Sequence, residues 1–403
     1  MNRKHFLALA VAALLLSGPV SAQLQTGSIH GAVMGEDGTA LPGVTITLTG
    51  VGAPQVQVTD AQGRFRYLGL SPDVYTLKAE LDNFVPLERT NLDVSVGRNT
   101  DIELTLAAAG FEETVNVVAD EAPLLDPRRI VPESIVSRDE MDRVPTARDP
   151  WAILSTVPGV RSDRINVGGN ESGQQSNIVG PGSLGTQTVW SLDGMVITDM
   201  SAVGSAPGYF DYDSFEEMQI TTGGSDASVA TGGVVLNMVT RRGTNEWRGS
   251  ARYLAGDDGT QSDLDLDSGE LGKAGPWNQN TPQGALKQGN RIVEVTDYGA
   301  EIGGPIVEDR FWFWGSYGEQ QIGLLTVSDF SDDSTLEDWN LKLNGQVTPS
   351  NSATGFFWQS DKIKLGRNAG PLRPQETTWN QGDFGPDPTA WKVEDTQIVG
   401  SSF

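Results

Sequence analysis

The chain has 403 residues, enough for two or three domains, with a formal charge of −25 and no cysteine. Without cysteine it can hold neither a disulfide scaffold nor a thiolate metal site, and so acidic a chain repels phosphate backbones, which argues against a nucleic-acid partner. Its 48 glycines and 21 prolines suit many short strands and turns, while His5 and His30 are its only histidines and leave little for histidine catalysis.

Residues 1–22 have the layout of a secretory signal peptide. Arg3-Lys4 supply the positive start, Phe6 to Leu16 the apolar run, Gly18-Pro19 the break, and Val20-Ser21-Ala22 the small residues for cleavage. The mature chain is expected to begin at Gln23. No later stretch holds the roughly 18 consecutive apolar residues of a membrane-spanning helix, so any crossing must be made by a β-barrel.

Residues 23–107 read as a small β-sandwich of about seven strands. Strands are expected at Ser28 to Met34, Val44 to Thr49, Val56 to Thr59, Arg64 to Leu68, Val74 to Ala79, near Asn91 to Val96, and at Asp101 to Leu106. Val44, Ile46 and Leu48 share one face, as do Phe65 and Tyr67, and His30 reads as a surface strand residue. Gly27 to Gly31, Leu41-Pro42-Gly43-Val44, Thr59 to Phe65 and Tyr75-Thr76-Leu77 resemble the carboxypeptidase regulatory-like domain. That resemblance implies a non-catalytic, transthyretin-like or Ig-like sandwich. No histidine-carboxylate pair has metal-ligand spacing, so a zinc peptidase is not expected, and Asp60 to Gly63 reads as a turn.

Residues 108–129 are a linker. Within it Phe111-Glu112-Glu113 lead into the β-prone run Thr114-Val115-Asn116-Val117-Val118. Exposed between domains, such a run is an unpaired strand awaiting an edge. The alternative is that Thr114 to Val118 forms the last strand of the sandwich.

Residues 130–244 read as an α+β domain. Ser137 with Glu140 forms a capping-box pattern for a helix to about Arg143. Asp149 with Pro150 at the first helical position starts a second helix, with Trp151, Ile153, Leu154 and Val157 on its apolar side, stopped at Pro158-Gly159. Val160 to Val167 is an expected strand. Gly168 to Gly173 lacks the lysine and the βαβ setting of a nucleotide loop, and Pro181 to Gly185 reads as a flexible loop. Thr188 to Leu192 and Met195 to Ile197 form a hairpin around Asp193-Gly194, a tight-turn pair. Ser214 is expected to cap a short helix at Phe215-Glu216-Glu217, followed by strands Met218 to Thr221 and Val234 to Thr240, the latter ended by Arg241-Arg242-Gly243.

That order of pieces resembles the plug domain of TonB-dependent outer-membrane receptors, and with the preceding sandwich the chain is similar to the Oar-like members of that family. The resemblance implies that Glu113, Thr114, Val115, Asn116, Val117 and Val118 form a TonB box, a segment that pairs as an added strand with periplasmic TonB. It implies that Gly168 to Gly185 help form a ligand site, with no individual contact assigned. It also implies partners: TonB with ExbB and ExbD, outer-membrane lipid, and an extracellular ligand of unknown chemistry. No catalytic residue, cofactor or metal is expected, and the implied role is import into the periplasm, with surface adhesion or assembly as the alternative.

Residues 245–403 alternate as a membrane barrel does. Trp247, Gly249, Ala251, Tyr253 and Ala255 would face lipid, with Arg248, Ser250 and Arg252 in the lumen. Trp339, Leu341, Leu343, Gly345 and Val347 alternate with Asn340, Lys342, Asn344 and Gln346. Tyr298 to Gly304 and Arg310 to Glu319 read as a hairpin, and Phe311-Trp312-Phe313-Trp314 as an interfacial girdle. Gly256 to Arg291, Gln321 to Glu337 and Gly366 to Trp391 are expected to be long extracellular connections. Asp263, Asp265 and Asp267 fit a solvated acidic loop better than a calcium loop, because Gly269 and Ala274 break the EF-hand pattern. About six strands fit here, against about 22 in closed receptors of this kind, so the chain is expected to be the N-terminal part of a longer protein. The fold class is mainly β: a sandwich, an α+β plug, and the first strands of an incomplete transmembrane β-barrel.

Overall fold

The structure is a computed structural model. It describes residues 26–109, 116–118, 133–166, 168–223, 229, 231–261, 291–326, 330–348, 351–367, 369–370, 372–378 and 388–397. The expected signal peptide, the acidic loop at 263–274 and Glu113, Thr114 and Val115 lie outside the described residues.

The sandwich comprises β1 (Gly27–Gly35), β2 (Thr45–Thr49), β3 (Gln55–Val58), β4 (Arg64–Leu70), β5 (Asp73–Glu80), β6 (Leu87–Val94) and β7 (Asn99–Leu106). One sheet has the order β4-β1-β7, with β1 and β7 parallel. The other runs β3-β2-β5-β6 and ends in β8 (Asn116–Val118), parallel to β6 from Glu88↔Asn116 to Thr90↔Val118. Alternation puts Ile29, Val33, Ile46, Tyr67, Leu77 and Leu104 between the sheets, and the buried Tyr67 hydroxyl donates to Ile46 O at 2.7 Å. Two expectations need correction. The sixth strand starts at Leu87 and ends at Val94, because Asn91 adopts φ 60° and its bulge breaks the alternation. His30 is half-buried in the middle of β1, its Nε2 covered, rather than a surface residue.

The central domain comprises β9 (Glu133–Ser137), α1 (Arg138–Arg143), α2 (Pro150–Leu154), β10 (Arg161–Ser162), β11 (Ile178–Val179), β12 (Val189–Leu192), β13 (Met195–Val196), β14 (Phe215–Thr221) and β15 (Val235–Thr240). Both helix caps form as the sequence dictates: Ser137 accepts from Glu140 N and Asp149 from Ala152 N at 2.6 Å. Asp193 and Gly194 take φ 46° and 70°, the paired positive values of the tight hairpin turn. The sheet order is β13-β12-β15-β14-β9.

Three elements differ from expectation. Phe215-Glu216-Glu217 open strand β14 and not a helix: β15 and β9 flank them and take up their backbone groups, while Asp211 rather than Ser214 caps a single 3-10 turn at Tyr212–Ser214. Strand β9 was not foreseen, since five residues beside a helix cap carry little periodicity. Among the described residues of the expected strand Val160 to Val167, only Arg161–Ser162 pairs as a strand, because Asn166 and Asp163 turn the chain with side-chain bonds to Gly169 N and Asn177 N.

The third part is one antiparallel sheet in sequential order: β16 (Arg248–Asp257), β17 (Arg291–Val307), β18 (Phe311–Leu325), β19 (Asp333–Thr348), β20 (Asn351–Leu365) and β21 (Thr389–Gln397). We call it the wall. Its inner face packs on the central domain, where Val295, Ile322, Phe356 and Trp358 join a core with Trp151, Trp190, Phe215, Met218 and Leu236. Its outer face exposes Trp247, Tyr253, Trp339, Leu341, Leu343 and Trp391. In β19 the alternation is sharp: Trp339 is 52 % exposed and Asn340 5 %. The same period corrects the girdle: Phe311 faces outward, while Trp312 and Trp314 point inward and donate to Asn245 Oδ1 (2.7 Å) and Glu301 Oε2 (3.0 Å). The expected connection Gln321 to Glu337 is shorter, since β18 runs to Leu325 and β19 starts at Asp333. No helix among the described residues is long and apolar enough to cross a membrane.

Candidate functional site at the wall of the central domain

The two faces of the central sheet differ in chemistry. One carries Leu192, Leu236, Met238, Met218 and Ile220 into the core. The other carries a polar row in cross-strand register, Ser191↔Asn237↔Gln219, with Glu217 beside it. Asn237 Nδ2 donates to Gln219 Oε1 at 3.0 Å, and Gly194 N donates to Asn237 Oδ1 at 2.9 Å. The row thus ends in the hairpin turn.

Asp193 in that turn fastens the sheet to the wall. Its carboxylate accepts from Thr240 N (2.9 Å) and Thr240 Oγ1 (2.7 Å) and forms an ion pair with Lys342 Nζ of β19 at 2.9 Å. Lys392 of β21 donates to Asp193 O at 2.8 Å. Burial works to raise the Asp193 carboxyl, but Lys342 and Thr240 outweigh it and hold it below its ordinary value.

A second fastening lies where Tyr209 to Ser214 meet β16 and β17. Arg252 pairs with Asp211 (2.7 Å), Asp213 (2.8 Å) and Asp297 (2.8 Å). Arg148 spans Asp213 (2.6 Å) and Asp297 (3.2 Å), and Arg138 also reaches Asp213. Burial would raise Asp213, yet Arg148, Arg252 and Arg138 together hold it at about 2. Asp211 is raised by burial, offset only partly by Arg252, and its Oδ2 has no protein partner. A small cleft opens here between Arg148, Phe210, Asp211, Arg252 and Asp338. Arg241 adds a third fastening, to Glu301 and, at 3.6 Å, to Glu216. Near the Gly168 to Gly173 turn, Lys362 Nζ bonds Gly173 O and the Tyr209 hydroxyl (2.6 Å).

These contacts hold one domain against another through hydrogen bonds and ion pairs. None of them sets a nucleophile beside a base. Among the described residues, no group of three or more His, Cys, Asp or Glu could hold a metal ion.

Of the six residues proposed for partner pairing, Glu113, Thr114 and Val115 lie outside the described residues, while Asn116, Val117 and Val118 are β8 on the sandwich edge. Sequence reasoning missed Asp193 as an ion-pair centre and Glu217, Gln219 and Asn237 as a polar row. The signal was present: two polar residues two apart in a strand share a face.

The carboxypeptidase regulatory-like domain family matches residues 28–107, and the TonB-dependent receptor plug domain family matches residues 128–234. The TonB-dependent transporter Oar of Myxococcus xanthus is 28 % identical over 68 % of this chain and 24 % of its own length. The ferrienterobactin receptor of Escherichia coli is 28 % identical over 37 % of this chain and 21 % of its own length. The chain therefore spans about a quarter of the length of these curated relatives. Among solved structures, a ferric enterobactin receptor of Pseudomonas aeruginosa aligns with a TM-score of 0.44 at 16 % identity, over 67 % of this chain and 39 % of that one. The siderophore receptor PirA of Acinetobacter baumannii aligns at 0.41 and 16 % identity, over 58 % and 32 %.

Proposed function

Since the chain belongs to the TonB-dependent receptors, a family of receptors and transporters rather than enzymes, with a carboxypeptidase regulatory-like domain before its plug, we propose that it serves ligand import across an outer membrane. In this reading the wall sits in lipid and the sandwich in the periplasm. A ligand binds on the outer side of the plug, TonB with ExbB and ExbD pulls on Glu113 to Val118, and the plug moves relative to the wall.

The observation that carries the reading is the combination of an apolar outer wall face with polar inner fastenings. Trp339, Leu341 and Leu343 suit hydrocarbon. The plug is held to the inner face by Asp193–Lys342, Arg252 with its three aspartates, and Arg241–Glu301. Hydrogen-bonded and ionic fastenings can exchange for water when the plug shifts, while the apolar contacts of Val295, Ile322, Phe356 and Trp358 with the plug core would have to slide or be exposed.

The test is uptake of radiolabelled ligands, ferric enterobactin first, by cells making the full-length protein with and without TonB. Uptake that needs TonB and is lost when Val117→Pro removes a ladder donor supports import. A panel of siderophores, glycans, peptides and cobalamin that bind but never enter would favour the adhesion role.

A further inference from the structure

Three loops at one end of the sandwich converge on the plug and the wall together. In the β6–β7 turn, the peptide of Val96 is clamped from both sides: its N–H donates to Glu217 Oε1 at 3.1 Å and its carbonyl accepts from Gln219 Nε2 at 2.8 Å. Gln219 Nε2 also donates to Glu217 Oε1 at 2.9 Å, and Ser95 bonds Glu217 as well, so the buried carboxyl takes its bonds from Val96 and Ser95 only while the sandwich is seated. Ser95, Val96, Glu217 and Gln219 are all buried. In the β4–β5 turn, Ser71 Oγ bonds Arg242, and Asp73 lies 3.8 Å from Arg248 at the start of β16. In the β2–β3 loop, Gly52 O accepts from Asn245 at 3.3 Å, and Gly52 lies against the Trp312 ring of β18.

We propose that the sandwich is an intramolecular stopper, seated through its Ser95–Val96 turn on the polar row of the plug and through its two neighbouring loops on the wall, so that it has to be released before the plug can shift. The functional part rests on the import reading above, but the seating itself does not. The geometry argues for a stopper over a loosely tethered module. A module that only swings on a linker has no need to have its peptide read by two buried side chains. A body touching both the plug and the wall ties together the two parts whose relative motion import needs. The polar row carries the contact onward: Val96 to Gln219, Gln219 to Asn237, Asn237 to Gly194, beside the Asp193–Lys342 pair. Loss of the sandwich would leave Glu217 and Gln219 to re-form their bonds with water and would loosen that end of the row.

Hydrogen exchange on the full-length protein in detergent micelles, across a urea series, tests this without ligand or TonB, so its outcome is separable from that of the import test. Three variants are compared with the wild type: Glu217→Ala with Gln219→Ala, Val96→Pro on the sandwich side, and Ser95→Cys with Glu217→Cys, a pair with no competing thiol in this chain. The stopper predicts that exchange of the β14 and β15 amides speeds up about tenfold or more in the double alanine variant, which loses both bonds to the Val96 peptide, and about fivefold in Val96→Pro, which loses only the N–H bond. It slows in the oxidised cysteine pair and recovers on reduction. Amides of β1 and β7 stay protected throughout, which separates release from unfolding of the sandwich. Unchanged β14 and β15 exchange in all three variants would overturn the proposal, and so would failure of the cysteine pair to form in the resting protein.

Discussion

Lys342→Met is the most demanding test of how the plug is held. The substitution keeps most of the side-chain volume and removes the charge that faces Asp193. Both partners are nearly sealed from water, with side-chain exposures of 3 % and 5 %. Asp193 keeps its two bonds from Thr240 but loses the cation paired with its carboxylate, leaving Lys392 on its backbone carbonyl. Leaving one member of a buried pair unpaired typically costs about 3–5 kcal/mol, or roughly a hundredfold to several thousandfold in the equilibrium between seated and released plug. Exchange of the β15 amides in urea reads that equilibrium directly. Adding Asp193→Asn should recover most of the loss, because asparagine tolerates the φ of 46° at that position and carries no charge to strand. A single variant within about 1 kcal/mol of wild type would mean that water already reaches the pair and that the ionic fastening is not what seats the plug. A double variant as weak as the single would point instead to lost packing around the Lys342 stem.

Other parts of the fold make equally specific predictions. Burial holds the Glu217 carboxyl up at about 7, with Val96 N–H and Ser95 opposing and Asp93 and Glu216 adding to the rise. A raised acid binds its proton in the seated state, so its contribution is fully present below the ordinary value of 4.5 and is lost as pH climbs through about 7. Plug seating should therefore strengthen by on the order of 3 kcal/mol between pH 7.5 and 4.5 from this group, and Glu217→Gln should flatten that part of the exchange profile. Arg252→Met strands Asp211, while Asp213 and Asp297 keep Arg148, and should lower the urea midpoint of plug release by the equivalent of about 3–5 kcal/mol; acidification toward pH 4 should restore some of it by neutralising the freed carboxylate. Asp149→Ala removes the cap of α2 together with bonds to Asn166 (2.5 Å) and Ser172 (3.1 Å). It should cost about 1–2 kcal/mol, measured as a lower urea midpoint for the α2 amides.

What the sequence disclosed followed from its periods and punctuation. The wall is legible because one face is exposed and the other meets a protein core, so Trp339 to Asn344 alternate between exposed and buried. The helix caps are legible because Ser137 and Asp149 act within three residues of themselves. The failures share a cause of the opposite kind. Phe215-Glu216-Glu217 look like a helix start, and only the arrival of β9 and β15 from elsewhere in the chain makes them a strand. Trp312 and Trp314 look like girdle residues until the register assigns them inward, where Asn245 and Glu301 satisfy their indole N–H groups. Asp193 is readable as a turn residue, but its partner Lys342 is 149 positions away by sequence number, and no local pattern connects the two. The same limit hides the polar row: its members are visible singly, and their meeting depends on sheet order.

The parallel pairing of β1 with β7 bears on how the protein is made. The sandwich's first strand is joined along eight residue pairs, Ser28↔Asn99 to Gly35↔Leu106, to the last strand of the same domain, and the Ser28 hydroxyl reaches Asn99, 71 positions later. A contact closed over so long a loop forms late and slowly, and the domain's first segment has no parallel neighbour until its last one exists. Before residue 106 has emerged, β1 can pair with β4 and β2 with β5, but the β4-β1-β7 sheet stays incomplete. Once Leu106 has emerged, that sheet can close. Nascent chains arrested on either side of that point should differ sharply in protease resistance.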